Sequence, residues 1–526
     1  MAENKNYLNI PKEKFRFVNA NEHLTDKKFD DKPISYFRDA LNRFCKNRAS
    51  VVATVIIVII LLFAFITPMV SPMDPTFMDP YYAKKGPRNL YLSEHFGIAT
   101  GTTSMDFSEK SLIKALAIGI GAEDYEGNRD VTIEQGWESE YQPVKSVGKI
   151  STTLNAKKEE IRSFSGGSIE AYLNVGFLYK SVTQSEYQKI LEWENETGMK
   201  VMYPLIEANE YNMDPLDANN WYKTKKYTPV YTNKNGKTKT MDLEAGMILE
   251  DNYKRDENGE PIYWEHTGGG TFETAQIRIR VLYYNYYQYQ NGFEPEYIFG
   301  TDSQGYDMAQ RIAGGIKLSL LVAVSTCLIN FIIGALYGAV EGYYGGWVDI
   351  ILERVSDILS YVPFIVVATL FQIHLATKVG ALPSLIFAYV LTGWIGTAYR
   401  VRTQFYRFKN QEYVMAARTL GARDRRIIWK HIFPNTLGTL ITSSALAIPS
   451  TILSESTLSF LGIVKLGTAD TTSIGTLLSD SQGIWTNFPH LMIVPAVFIS
   501  LLMISFNLFG NGLRDAFNPS LRGVEE

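Results

Sequence analysis

The residues able to do chemistry in this chain are few and scattered. His23, His95, His266, His374, His431 and His490 are its six histidines, and none stands in an H-E-x-x-H pair, the spacing that puts two imidazoles on one helix face for a metal. Each reads as a lone surface or interface residue. Cys45 and Cys327 are the only cysteines, which excludes a disulfide framework and a paired-cysteine zinc site. The G-x-x-x-x-G-K-[ST] loop, whose backbone amides cradle phosphates, does not occur, so the chain carries no cradle of that kind for a nucleotide. Two features remain. Glu455 stands near the end of an apolar run, and an ionisable group at membrane depth is a functional candidate, here for a translocation path, with a structural cap or pair as the alternative. The segment 411–435 reads QEYVMAARTLGARDRRIIWKHIFPN, too charged for lipid and too regular for a loose linker.

The pattern of that segment specifies its local structure. After Glu412, the residues Tyr413, Ala416, Ala417 and Leu420 fall at helical spacing. Gly421 is a natural helix stop, Asp424 is placed to cap a second helix, and Pro434 suits the first turn of a following apolar helix. The expectation is a short helix, a glycine elbow and another short helix. On composition alone an amphipathic connector resting its basic face on anionic lipid is equally open.

The elements around it are dictated by clumping of apolar residues. The chain has 526 residues, net charge −4, 46% hydrophobic and 20% charged residues, averages that would suit a soluble enzyme and give no hint of nucleic-acid binding. Yet residues 50–70 read SVVATVIIVIILLFAFITPMV, about 21 residues or roughly 30 Å of helix, enough to span a bilayer. A cleaved signal peptide is the competing reading, opposed by the polar stretch before the run and by its length. Further apolar runs at 316–340, 362–376, 382–398, 437–453 and 491–509 make about six spans. The pattern over 308–340 is too long for hydrocarbon alone. Its first turns must lie at an interface, capped by Asp307 after a bend containing Gly300, Ser303 and Gly305, while Gly334 and Gly338 leave space for a neighbouring helix.

Charge orients these spans. Eleven basic residues precede the first, including Arg38, Arg43, Lys46 and Arg48, and nine lie between Tyr399 and Pro434, including Arg400, Arg402, Lys409, Arg418 and Arg425. Both segments should face the cytoplasm, which six spans permit. The stretch 71–310 holds 36 acidic and 24 basic residues, in keeping with an external location. Within it, 81–296 is long enough for one or two globular units. Thr183 and Glu186 have capping-box spacing ahead of a helix stopped by Gly198; Ile277, Ile279 and Val281 alternate with Arg278 and Arg280 as a half-buried strand; Asn235-Gly236 and Asn258-Gly259 mark polar hairpin turns. A mixed α/β module follows. The tyrosines Tyr283, Tyr284, Tyr286, Tyr287 and Tyr289 read as an edge strand or headgroup belt, with peptide docking as the alternative.

The segment 411–435 resembles the cytoplasmic "EAA" loop of ABC importer permeases, through Met415, Ala416, Ala417, Gly421, Ile432 and Pro434, with Met415 where that family usually has Glu. FRDALNRFCKNRAS, FGTDSQGYDMAQRI, EGYYGGWVDIILERVSDIL, ESTLSFLG and FNLFGNGLRDAFNPSLR resemble, in order, the C-type membrane subunit of oligopeptide and dipeptide importers. The resemblance covers about the first 80 and last 230 residues. It implies an all-α polytopic membrane protein of about six spans, with an inserted α/β extracytoplasmic domain as this chain's own addition. The division is a cytoplasmic arm 1–49, a first span 50–70, an insertion 81–296 within an external stretch 71–306, a five-helix core 307–513 containing the loop 400–434, and a cytoplasmic tail 514–526. It further implies a non-enzymatic pore subunit that pairs with a homologous permease subunit and meets two ATPase chains, which hold ATP and Mg, through Glu412, Met415, Ala416, Ala417, Arg418, Gly421, Ala422, Asp424, Arg425 and Pro434. A peptide-binding protein would deliver cargo. Import of nickel or a sugar, and a membrane-anchored sensor working through its external part, are the alternative readings.

Overall fold

Among the described residues of the computed structural model, five helices are long and apolar enough to cross a membrane: Arg48–Val70, Met308–Tyr344, Ala381–Phe408, Asp424–Phe460 and His490–Phe517. The structure describes residues 36–517 apart from 124–128, 132–138, 155–159, 208–216, 228–229, 233–237, 241–245, 272–273 and 468–470.

The chain enters through α1 (Tyr36–Lys46), whose Ala40 and Phe44 bury against Ala516 near the other end of the described chain. Asn47 then caps α2 (Arg48–Val70), its side chain accepting from the amides of Ala49 and Ser50. Small residues set the packing of α2: a Cβ added at Gly512 would lie 1.9 Å from Ser50 Oγ, so that crossing closes only over glycine.

All the described strands lie between α2 and the next long helix. They are accompanied by α3 (Leu90–Phe96), α4 (Glu109–Ala122), α5 (Gln184–Thr197) and α6 (Tyr283–Asn291). In one sheet β5 (Glu160–Glu170) pairs antiparallel with β1 (Thr102–Ser108), β3 (Val144–Ser146) and β4 (Lys149–Leu154); in a second, β11 (Gly246–Asp251) lies between β2 (Arg129–Val131) and β8 (Tyr222–Tyr227). In a third, β13 (Gln276–Leu282) pairs with β6 (Phe177–Thr183), β7 (Met202–Tyr203) and β12 (Trp264–His266), and β9 (Val230–Thr232) pairs with β10 (Thr238–Thr240) as a separate ribbon. Thr183 caps α5 by accepting from the Glu186 amide, and Gly198 ends it at φ +73°. The turn at Gly259 (φ +84°) forms as expected; that at Asn235-Gly236 lies outside the described residues.

Two expectations here need correction. Ile277, Ile279 and Val281 are buried, but so is Arg280. Its guanidinium donates to the carbonyls of Ala218 and Pro204 and stacks 3.8 Å from the Phe177 ring centroid, so the strand is covered on both faces at that point. The tyrosine cluster is neither strand nor belt. It forms α6, and Tyr283, Tyr286 and Tyr287 join Tyr82, Tyr172 and Tyr297 in a buried core, because successive rings turned by the helix meet apolar surface on more than one side.

The segment before α3 and the segment after α6 meet: Arg88 and Tyr297 exchange backbone hydrogen bonds. In the bend that follows, Asp302 accepts from the amides of Gln304, Gly305 and Tyr306 and pairs at 3.1 Å with Arg311. Gly305 is required there, since a Cβ would fall 1.9 Å from the Asp79 carbonyl oxygen. Asp307 caps α7 (Met308–Tyr344), as expected.

After α7 come α8 (Gly346–Ser360), α9 (Phe364–His374), α10 (Ala376–Val379), α11 (Ala381–Gly393) and α12 (Ile395–Phe408). The run at 362–376 does not give one long span. α9 has 11 residues, roughly 16 Å; Pro363 fixes its start and Gly380, at φ +94°, ends α10. The space left by Gly334 and Gly338 is filled by α12: added Cβ atoms would lie 2.7 Å from the Trp394 oxygen and 2.2 Å from that of Ala398. Gly342 continues the seam against Arg402 and Phe405.

Candidate functional site

The loop after α12 opens with α13 (Glu412–Thr419), turns at Gly421, and resumes in α14 (Asp424–Arg426). Gly421 has φ +79° and open space around it, so it serves the backbone turn and no close contact. A π-helical turn, Ile427–Ile432, leads into α15 (Phe433–Phe460), with Pro434 in its first turn. The described chain closes with α16 (Ile474–Ser481) and α17 (His490–Phe517).

α13 has two unlike faces. Val414 is fully buried and packs in a cluster with Tyr343, Val401, Phe405, Ile427 and Ile432. Opposite, Glu412, Tyr413, Met415 and Ala416 are exposed, and Leu420 is 88% exposed. Ala417 and Ala422 are half-buried, whereas Arg418 and Arg425 remain exposed. The loop thus offers a mixed face, apolar at Tyr413, Met415, Ala416 and Leu420 and charged at Glu412 and Arg418, while Val414 anchors it from behind.

Asp424 does not cap the second helix. Arg423 holds the cap position and Asp424 is the first helical residue, its Oδ1 accepting a 2.6 Å hydrogen bond from the Tyr343 hydroxyl at the end of α7. The Arg418 guanidinium lies 5.9 Å from the same ring's centroid. Beside this contact, Arg402 of α12 donates from Nε and Nη2 to the two oxygens of Asp349 (2.6 and 2.8 Å) and from Nη1 to Glu353 (2.9 Å), with Glu341 at 3.5 Å. Tyr406 also donates to Asp349 (2.6 Å), and Lys409 Nζ donates to the Gly342 carbonyl (2.9 Å). These bonds hold the Asp349 carboxyl below the ordinary carboxylate range, Arg402 contributing most and Tyr406 adding to it against burial. One planar guanidinium therefore ties α7, α8 and α12 at the level of the loop.

Sequence reasoning found the loop but missed Tyr343 and Arg402. The i,i+4 spacing of Asp349 and Glu353, which puts both carboxylates on one helix face, was the available signal for a basic partner.

Glu455 is fully buried within the helical assembly. Ser319 of α7 donates to its Oε2 (2.8 Å) and Ser459 to its Oε1 (3.0 Å), with Ser456 at 3.4 Å. This cage joins α15 to α7 rather than presenting the carboxylate to open space.

A cavity of about 540 Å³ is lined by Arg88, Asn89, Glu170, Tyr284 and Glu294, among others. At its wall Arg88 donates to the Tyr284 hydroxyl (2.7 Å) and the Pro295 carbonyl (2.8 Å) and lies within 3.4 Å of Glu170 and Glu294. Burial raises the Glu170 carboxyl above its ordinary range despite the Arg88 charge. Arg88 thereby fastens the segment before α3 to β5 and to the segment after α6.

Two stretches of the chain match known families. Residues 35–87 match the family model for the N-terminal TM domain of oligopeptide transport permease C, and residues 330–523 match that for the binding-protein-dependent transport system inner membrane component. An oligopeptide transport system permease protein of Bacillus subtilis is 40% identical over 43% of this chain and 72% of its own length. A dipeptide transport system permease protein of the same organism is 40% identical over 43% of this chain and 69% of its own. The oligopeptide permease of Haemophilus influenzae is 43% identical, covering 44% and 72%. Among solved structures, an inward-facing MetNI methionine ABC transporter chain aligns with 40% of this chain and 98% of its own at 16% identity, with a TM-score of 0.34, too low to bear on the fold. On the identities and coverage of these permeases, the chain is an integral membrane protein and belongs to the C-type permease family of oligopeptide and dipeptide ABC importers, a family of transport subunits rather than enzymes.

Proposed function

We propose that this chain is one of two homologous pore-forming subunits of an ATP-driven importer for oligopeptides or dipeptides, the cargo for which its relatives are named. Two ATPase chains hold ATP and Mg, since this chain lacks a phosphate-cradling loop, and a peptide-binding protein delivers cargo from outside. In this reading the N-terminal arm, the Glu412–Arg426 loop and the C-terminus are cytoplasmic and 71–306 is outside, an orientation supported by the basic segments around Arg43 and Arg407. The external stretch folds as an α/β unit that orients the binding protein, a reading supported by its capped helices and buried aromatic core.

The observation that carries the coupling role is the exposed face of α13, where Tyr413, Met415, Ala416 and Leu420 stand out while Val414 is buried behind them. A short helix with one face free, apolar residues flanked by Glu412 and Arg418, and the other face fastened suits a groove in a partner. Closure of the ATPase pair displaces it, and Asp424 passes the displacement to Tyr343 and α7, so that the spans reorient around a central path. Glu412, Met415, Ala416, Ala417, Arg418, Gly421, Ala422, Asp424, Arg425 and Pro434 form or shape this contact.

Gly421→Pro tests the reading. Proline fixes φ near about −65°, whereas this turn needs +79°. The variant should insert normally yet lose ATPase association and peptide uptake; normal uptake by a well-inserted variant rules the assignment out.

A further inference from the structure

Within the spanning part, α7, α11–α12 and α15 line a second cavity of about 210 Å³, half open to its surroundings, whose wall includes Thr326, Asn330, Tyr389, Thr397, Ser444, Thr451 and, on its exposed side, Arg400. The members from each helix recur at three- to four-residue spacing, so each helix gives it one polar face. Such groups are costly in hydrocarbon and face a protein interior or an aqueous path.

Three lining side chains, Thr326, Asn330 and Tyr389, carry a buried polar atom without a hydrogen-bond partner among the described residues. Thr326 is 1% exposed, and its Oγ1 has no hydrogen-bond partner among the described residues; Asn330 Oδ1 has none either. Gly393 makes room for the Asn330 amide, since a Cβ would lie 2.4 Å from its Nδ2. Arg400 is the only charged residue lining the cavity and forms no ion pair among the described residues. An unpaired guanidinium beside an unused hydroxyl and an unused amide oxygen complements a carboxylate next to a backbone amide. The volume is below that of pockets enclosing a whole drug-sized ligand, which start near 300 Å³, and therefore fits one end of a longer chain.

We propose that this cavity holds the C-terminal end of the peptide in transit, with Arg400 pairing with its carboxylate, Asn330 Oδ1 accepting a backbone N–H and Thr326 meeting the neighbouring peptide group. The assignment rests on the peptide-import reading and names the recognition chemistry within it.

Cys327 lines the same cavity and serves as a reporter. In the importer assembled with its partner subunits, in a Cys45→Ser background, modification of Cys327 by a small methanethiosulfonate is followed by mass spectrometry with millimolar trialanine or trialanine amide. Trialanine should slow modification and the amide should not. In Arg400→Gln the trialanine concentration for half-protection should rise about tenfold, as for loss of one charge-assisted pair, and Arg400→Lys should recover part of the loss. If Cys327 proves unreactive, Ser450→Cys at the rim, exposed in this chain, gives the same readout. Equal protection by acid and amide, no protection by either, or unchanged protection in Arg400→Gln overturns the proposal, as does dissociation of the Arg400→Gln complex, which would show that Arg400 pairs with the second subunit. An importer that protects as expected but takes up neither trialanine nor longer peptides overturns the import reading; uptake without discriminating protection overturns only the cavity assignment.

Discussion

Tyr343 and Asp424, 81 residues apart in sequence, are joined by a 2.6 Å hydrogen bond from the phenol to the carboxylate. Tyr343 is the penultimate residue of a 37-residue helix, and Asp424 begins the segment after the glycine elbow. The bond therefore connects the segment just after the elbow to the end of α7 without passing through the intervening chain. Val414 reinforces it by packing in the same cluster as Tyr343.

Tyr343→Phe keeps the ring in that cluster and removes only the hydroxyl. A hydrogen bond to a charged group is worth about 1.5–3 kcal/mol, but Asp424 is exposed and can take water instead, so the loss of stability should be under about 1 kcal/mol. Transport should suffer more than folding, with fewer peptides imported per ATP hydrolysed in reconstituted vesicles and ATPase binding retained. An unchanged ratio of uptake to hydrolysis would remove this bond from the coupling route.

Arg402→Lys tests the junction of α7, α8 and α12. Lysine supplies charge but not the fork that reaches both Asp349 oxygens and Glu353, so about 1–3 kcal/mol should be lost, read as a lower melting temperature in detergent. The Asp349 carboxyl titrates below its ordinary value in the folded protein. Its contribution is thus fully present above the unfolded carboxylate pKa and disappears as pH falls through the lower folded value. The gap between wild type and variant should be full at neutral pH and close in acid; a gap that widens in acid contradicts this origin.

The α7–α12 seam gives a contrast between two glycines of one helix. A Cβ at Gly338 would meet the Ala398 oxygen at 2.2 Å, while one at Gly314 meets nothing within 4 Å. Gly338→Ala should cost about 1–3 kcal/mol through overpacking, and Gly314→Ala should be neutral or stabilising by up to about 1 kcal/mol. Thermal unfolding of the two variants decides it, and equal melting temperatures would mean the seam is loose.

Much of this was legible because it is local. Asp307, Thr183 and Gly198 sit where short-range capping chemistry requires them, and the Gly334–Gly338 spacing announced a close helix crossing before the partner, α12, was known. Contacts between distant segments were not legible: Arg402 with Asp349, Tyr343 with Asp424, and Arg88 with Glu170 each depend on the assembled fold. Arg280 and the tyrosines of α6 misled for a related reason. Their local pattern suited an open face, and the surrounding elements covered it. Glu455 stood out in the sequence as an ionisable residue at membrane depth, and its serine partners on two helices are a pairing that spacing alone did not reveal.

The short helix α9 makes the topology a sharp test. If only α2, α7 and the Ala381–Phe408 helix crossed the bilayer before the loop, that loop would lie on the opposite side from the N-terminal arm, and two strongly basic segments would face opposite compartments against the charge rule. Adding α9 and α10 as one crossing restores agreement. Phe364 to Val379 covers 16 residues, roughly 24 Å of helix, a mismatch that a locally thinned bilayer or snorkelling of Lys378 can absorb. Cysteines introduced at Arg38 and Leu420, in a Cys45→Ser background, should therefore both resist an impermeant thiol reagent in intact cells and both react after permeabilisation. A cysteine at Asn258 should react in intact cells. Labelling at 420 but not at 38 would mean that α9 and α10 dip into the membrane and return, and the proposed docking face would then lie outside, where no ATPase could reach it.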